Sequence, residues 1–269
     1  MKKISLLFLC FGFLASVQAQ DSAALKKHYL KLYTQGLGYN DVNVAINALQ
    51  GYLAVENNLT FKDTLSMLYF STKNYYSALL LSEEVSKADP NNLDAMARTA
   101  ECYDELGDPK TATSLFEQVV PKTKNPYQAY KLAVCQYQLK RTAEAEASAK
   151  FVLADANSKK MGVQFNSMSG NQQAVSVAAA AANLIGVLRM DVKNFTEAKK
   201  YFDQALTLFP GFVGAKENLE AVERASKPTK TPAKTPVKRH INSQTTISSF
   251  FVFQIHIKRR LPHCFDNCV

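Results

Sequence analysis

The residues of this chain that could do chemistry are few and scattered. Asp94, Glu101, Asp104 and Glu105 fall at helical spacing and have the chemistry of paired acids and bases. Such work also needs an opposing base or an apolar pocket that drives two pKa values apart. The only histidine between residues 20 and 225 is His28, and no pocket can be named from the sequence. A solvated or ligand-facing helix surface is the better account of the four carboxylates. His263, Cys264 and Cys268 have the ligand types of a zinc site. Their spacing matches no zinc motif, and no second pair stands nearby. No phosphate-binding glycine loop, H-E-x-x-H or G-x-S-x-G occurs. The sequence predicts neither catalysis, nor a metal, nor a cofactor.

What would position these side chains is a set of helical hairpins. Ten glycines and nine prolines in 269 residues are few, which favours helix over a turn-rich β fold. In "NLIGVLRMDVKNFTEAKKYFDQALTLFP" an apolar stripe of Leu184, Val187 and Leu188 surrounds Gly186, and Ala198 lies twelve residues on, in a second helical segment. The same twelve-residue step joins Ala100 to Ala112, Ala133 to Ala145 and Ser66 to Ala78. A fainter copy offers Ala45, Leu49 and Tyr52. With each of these second-helix alanines numbered 20, the repeats start at 26, 59, 93, 126 and 179, in steps of 33, 34, 33 and 53.

This pattern resembles the tetratricopeptide repeat, a helix-turn-helix unit of about 34 residues. That family favours small residues at positions 8, 20 and 27, aromatics at 11 and 24, and proline at 32. Gly186, Ala198, Phe202, Ala205 and Pro210 match it in the last repeat, and Ala100, Tyr103, Ala112 and Phe116 in the repeat from 93. Departures are the missing tryptophan of position 4 and Tyr33 where a small residue is expected. The resemblance implies an all-α fold, a right-handed superhelical array of helix-turn-helix repeats, or α-solenoid, over residues 20–225. Small residues would let paired helices approach, Phe202 would fill the space between them, and Pro210 would end the second helix.

In that family positions 2, 5, 9, 12 and 13 of each first helix line a concave binding groove. Carried onto this chain, the groove residues are Asp94, Ala97, Glu101, Asp104 and Glu105, then Tyr127, Tyr130, Val134, Tyr137 and Gln138, then Asn183 and Val187 with Ala180, Met190 and Asp191 beside them. An acidic and aromatic floor suits a basic or amphipathic segment of another protein. The lysine and asparagine clamp by which some members hold a chaperone's C-terminal carboxylate has no counterpart at these positions. Cys102 and Cys135 both stand at position 10, one repeat apart and too distant for a disulfide, and are expected as buried free thiols. The long last step leaves residues 158–178, with "GVQFNSMSGNQQ", as a loop or partly ordered insertion. Residues 212–225 have the apolar spacing of a capping helix.

The two ends differ from the array. Lys2 and Lys3, an apolar run from Ile4 to Val17 and Val-Gln-Ala predict a signal peptide over residues 1–19, and hence export to the periplasm or beyond. That run falls short of the roughly 20 residues that span a membrane. The net charge of +9 is misplaced on the whole chain: residues 20–225 hold 22 basic and 22 acidic residues, while 226–269 hold eight basic residues and Asp266. Residues 226–245 have the Lys/Thr/Pro composition of an extended linker, and 246–269 form an apolar and basic tail. The function expected is a non-catalytic protein-interaction scaffold of the cell envelope. The alternative is an envelope assembly or tethering factor whose tail touches an anionic surface, nucleic acid being an improbable partner for an exported chain.

Overall fold

The computed structural model describes residues 21–226; residues 1–20 and 227–269, on which the expected signal segment, linker and tail fall, lie outside them. The described chain is mostly helical, with helices packed in sequential pairs as in tetratricopeptide solenoids. The elements are α1 (21–38), α2 (Val42–Val55), α3 (Leu59–Ser71), α4 (Tyr75–Ala88), α5 (Leu93–Glu105), α6 (Pro109–Thr123), α7 (Pro126–Gln138) and α8 (Thr142–Ala154). After a 3-10 turn, Ala156–Lys159, come β1 (Gly162–Asn166), β2 (Gln172–Ser176), α9 (Val177–Asp191), α10 (Phe195–Leu208) and α11 (Val213–Ser226). Two compact units meet between Leu106 and Gly107.

The turn inside each repeat is built the same way. Asn40, Lys73, Gly107, Lys140 and Lys193 all have positive φ, at the 33, 34, 33 and 53 steps of the repeat alanines. The residue after Asn40, Lys73, Lys140 and Lys193 is bonded back to the first helix. Asn74 N–H donates to the Tyr69 carbonyl and Asn194 N–H to that of Arg189, both at 2.9 Å, the long bond of a Schellman motif. That same residue then caps the second helix: Asp41, Asn74, Asp108 and Asn194 accept from the backbone N–H three residues on. Arg141 stands at the equivalent place before α8 and makes no side-chain cap. It pairs instead with Glu117 and Glu144.

Only glycine adopts the left-handed conformation without steric cost, and the lysines pay that cost. Lys193→Gly is expected to stabilise the protein by about 1 kcal/mol, read as a higher urea midpoint. An unchanged or lower midpoint would show that the turn is not strained.

Close packing follows from small side chains. Ala45, Ala78, Ala112, Ala145 and Ala198 are wholly buried. In the first compact unit the Ser66 hydroxyl of α3 donates to the Ala78 carbonyl of α4 at 3.2 Å, joining positions 8 and 20 of one repeat. A Cβ on Gly51 would lie 2.3 Å from the Tyr29 ring, so α1 and α2 approach as only glycine permits. Arg98 of α5 bonds Asp63 of α3 at 2.5 Å and Ser66 at 3.2 Å.

In the second unit one core runs from Ala129 to Val222, with α9 at its centre. Every residue from Val177 to Leu188 is buried. A Cβ on Gly186 would meet the Phe202 ring at 2.4 Å, so the ring fills the place a larger side chain would take. Phe209 is extended before Pro210, as a residue preceding proline must be, and α10 stops at Leu208.

The insertion expected as a loop or partly ordered segment contains a strand pair. β1 and β2 pair antiparallel, Val163 opposite Val175 and Phe165 opposite Gln173. These four face inward, while Gln164, Asn166, Gln172 and Ala174 are exposed, which is the alternation of a strand pair covering a core. The fold therefore departs from purely α by one hairpin.

Candidate functional site

The first helices of the repeats present their position 2, 5, 9, 12 and 13 side chains very differently in the two units. On α5, Asp94 and Glu105 are exposed and Glu101 is half-buried, whereas Ala97 and Asp104 are buried. The Cys102 thiol beside them is buried and free, and desolvation, reinforced by the Glu101 carboxylate, pushes its pKa up to about 12. At neutral pH it behaves as a small apolar group.

The preceding repeats supply what sequence reasoning missed. Leu37, at position 12 of α1, is 47% exposed, and Met67, at position 9 of α3, is 52% exposed. The repeat register extended to the copies at 26 and 59 points to both. Asp63, at position 5 of α3, is committed to Arg98 and so serves packing. The first unit thus carries exposed apolar and acidic side chains on its first helices.

In the second unit the same positions are mostly covered. Tyr127 and Gln138 are half-buried; Tyr130, Val134 and Tyr137 of α7, and Ala180, Asn183, Val187 and Met190 of α9, are buried. The tyrosines expected as floor residues are core residues here. The Tyr137 phenol is hydrogen-bonded to Asp191, and burial, then that carboxylate, raise its pKa, so it stays protonated. The Lys140 ammonium stands 5.5 Å from the centre of its ring. Asn183 accepts a 2.9 Å hydrogen bond from Asn218 of α11. Cys135 is buried, as expected. His263, Cys264 and Cys268 lie outside the described residues. Among those described, no helix is long and apolar enough to cross a membrane.

The tetratricopeptide repeat model matches residues 179–212, and the model for anaphase-promoting complex, cyclosome, subunit 3, matches residues 71–152. No curated protein matches the sequence. Among solved structures the chain is similar to YrrB, a tetratricopeptide protein with an unusual peptide-binding site: 16% identity, TM-score 0.59, covering 77% of this chain and 97% of that one. It is also similar to the MamA protein, at 16% identity and TM-score 0.57, covering 69% of this chain and 92% of that one. A tetratricopeptide protein of Parabacteroides merdae matches at 14% identity and TM-score 0.59, over 75% of this chain and 73% of the other. At such identities the likeness speaks to fold, which agrees with the helix pairs, the left-handed turns and the glycine contact at Phe202. Residues 179–212 match the tetratricopeptide repeat, and the described chain has the fold of a tetratricopeptide α-solenoid.

Proposed function

We propose that this protein is an exported, non-catalytic interaction module that binds a basic or amphipathic segment of another protein on its first-helix face. The observation that carries the reading is that Leu37, Met67, Asp94 and Glu105 are exposed at first-helix positions of α1, α3 and α5 that the repeat gives to its groove. Apolar side chains reward burial of a partner's apolar residues, and the carboxylates select cationic neighbours. That YrrB is described as having a peptide-binding site supports the class of ligand.

A test needs a defined probe. A labelled Lys/Leu amphipathic peptide is expected to bind by fluorescence anisotropy at least tenfold more tightly than a Glu/Leu peptide of the same length. The charge reversal Asp94→Lys, Glu101→Lys, Glu105→Lys should remove that preference while circular dichroism stays native. Asp104, being buried, is left in place. Equal affinity for the two peptides would end the assignment.

Export rests on residues 1–19 and is read independently. The protein purified from its native cell is expected to begin near Gln20, by intact mass; a retained leader would refute processing. The tethering alternative is favoured by the charge of residues 226–269 alone. It predicts sedimentation with anionic vesicles that fades as salt rises.

A further inference from the structure

The insertion between α8 and α9 is seated on positions that the repeat gives to partners. The repeat after the one at 179 starts 34 residues on, at Val213, where α11 begins. Its positions 2 and 5 are therefore Gly214 and Glu217. Both are covered by the hairpin. A Cβ on Gly214 would lie 2.3 Å from the Phe165 ring, and Phe165 packs edge-on to Phe212, with ring centres 4.7 Å apart. Glu217 accepts the backbone N–H of Met168 at 2.9 Å and of Ser169 at 3.3 Å, as well as the Ser169 hydroxyl. Gln173 completes the seat: its amide nitrogen donates to the Gly211 carbonyl at 2.8 Å, and its amide oxygen accepts from Val213 N–H at 3.1 Å.

We propose that the β1–β2 hairpin of the second unit is a resident ligand of α11, seated on the positions that the repeat gives to partners. The same seat takes, from an outside partner, a turn-forming segment that offers an aromatic anchor and, a few residues on, two adjacent backbone N–H groups. The three contacts are those of ligand recognition: a ring in a notch that only glycine leaves open, a carboxylate reading paired N–H groups, and an amide side chain bridging extended backbone. The hairpin is also an addition to the repeat rather than a part of it. Helices α8 and α9 pack directly on each other on either side of it, as consecutive repeats do. Its outer face, Gln164, Asn166, Gln172 and Ala174, is exposed. Because the hairpin is tethered, its effective concentration is in the millimolar range. An outside segment with the same three contacts and no others loses to it. The partner must therefore add contacts beyond these three, and the hairpin acts as a selectivity filter. The proposal rests on the first-helix face being the binding face, but its test uses the chain's own segment as probe.

In the full chain, residues 163–175 are replaced by a Gly/Ser run of equal length, and a labelled synthetic peptide of residues 161–177 is added. Native helical circular dichroism and saturable peptide binding are expected, at least tenfold tighter than to the unmodified protein, whose seat is filled. Adding Glu217→Lys or Gly214→Leu should weaken that binding at least tenfold. A folded variant that does not bind the peptide would overturn the proposal. A second variant, Gly214→Leu in the otherwise native chain, evicts the Phe165 ring while filling the notch. Chymotryptic cleavage at Phe165 should then accelerate at least tenfold with helicity unchanged. Loss of helicity in both variants would make the hairpin part of the fold, and would overturn the proposal equally. Failure of the Lys/Leu peptide at Asp94 and Glu105 would leave these results unaffected, so the two readings fail separately.

Discussion

Gly186→Leu is expected to lower stability by about 3 kcal/mol, at the upper end of what overpacking a core costs. A Cβ alone would stand 2.4 Å from the Phe202 ring, and both residues are buried within the helix pair α9–α10. The loss outweighs the roughly 0.5–1 kcal/mol that any side chain recovers over glycine in a helix interior. Phe202→Ala removes a wholly buried ring and should cost about 3–5 kcal/mol by itself. The double variant is the sharper measurement. Leucine can occupy the space that the ring leaves, so the two losses should fall short of additive by at least about 1 kcal/mol. Urea midpoints of the four proteins give the coupling, and strict additivity would mean that the two residues do not contact. Ala112→Leu, at another wholly buried repeat position, is expected to destabilise in the same direction.

The second large effect is electrostatic. Asp63→Ala is expected to cost about 3 kcal/mol, because it leaves the Arg98 guanidinium buried without the carboxylate that pairs with it. Side-chain exposures of 9% for Arg98 and 25% for Asp63 make the effect asymmetric. Arg98→Met leaves a carboxylate that water reaches and that Asn92 still touches at 3.4 Å, so it should cost about half as much. Combining the two substitutions should restore most of what Asp63→Ala loses, since no charge is then left buried. If Asp63→Ala proves the milder of the two, the pair is not what holds α3 to α5.

The repeat was legible because its packing is written in small side chains. Ala78, Ala112, Ala145 and Ala198 mark the places where helices touch, and a residue too large there cannot be accommodated, so the sequence displays the constraint directly. Helices α3, α5 and α7 begin at Leu59, Leu93 and Pro126, the repeat starts read from those alanines. The hairpin was harder to see. Its inward residues Val163, Phe165 and Val175 do alternate with polar ones, but over five-residue strands rich in glutamine and asparagine, where composition speaks for a loop.

The candidate site was the least legible part. Position in a repeat says which way a side chain points, not whether something covers it. Asp94 and Tyr130 stand at positions 2 and 5 of successive repeats, yet one is exposed and the other is buried. Exposure is decided by residues far off in sequence, as when Phe165 covers Gly214.

The hairpin also changes how this array comes apart. In a linear array each repeat is held by its neighbours alone, so the terminal helix has one interface and frays first. Here the last described helix is gripped at Gly214 and Glu217 by a segment that enters the chain before α9, with Met168 and Glu217 standing 49 residues apart in sequence. Opening α11 therefore requires breaking contacts on both sides of the last repeat, and the end of the array is coupled to its interior. Amide exchange in α11 is expected to track that in α9 while the hairpin is seated, and to revert to end-fraying rates once it is released.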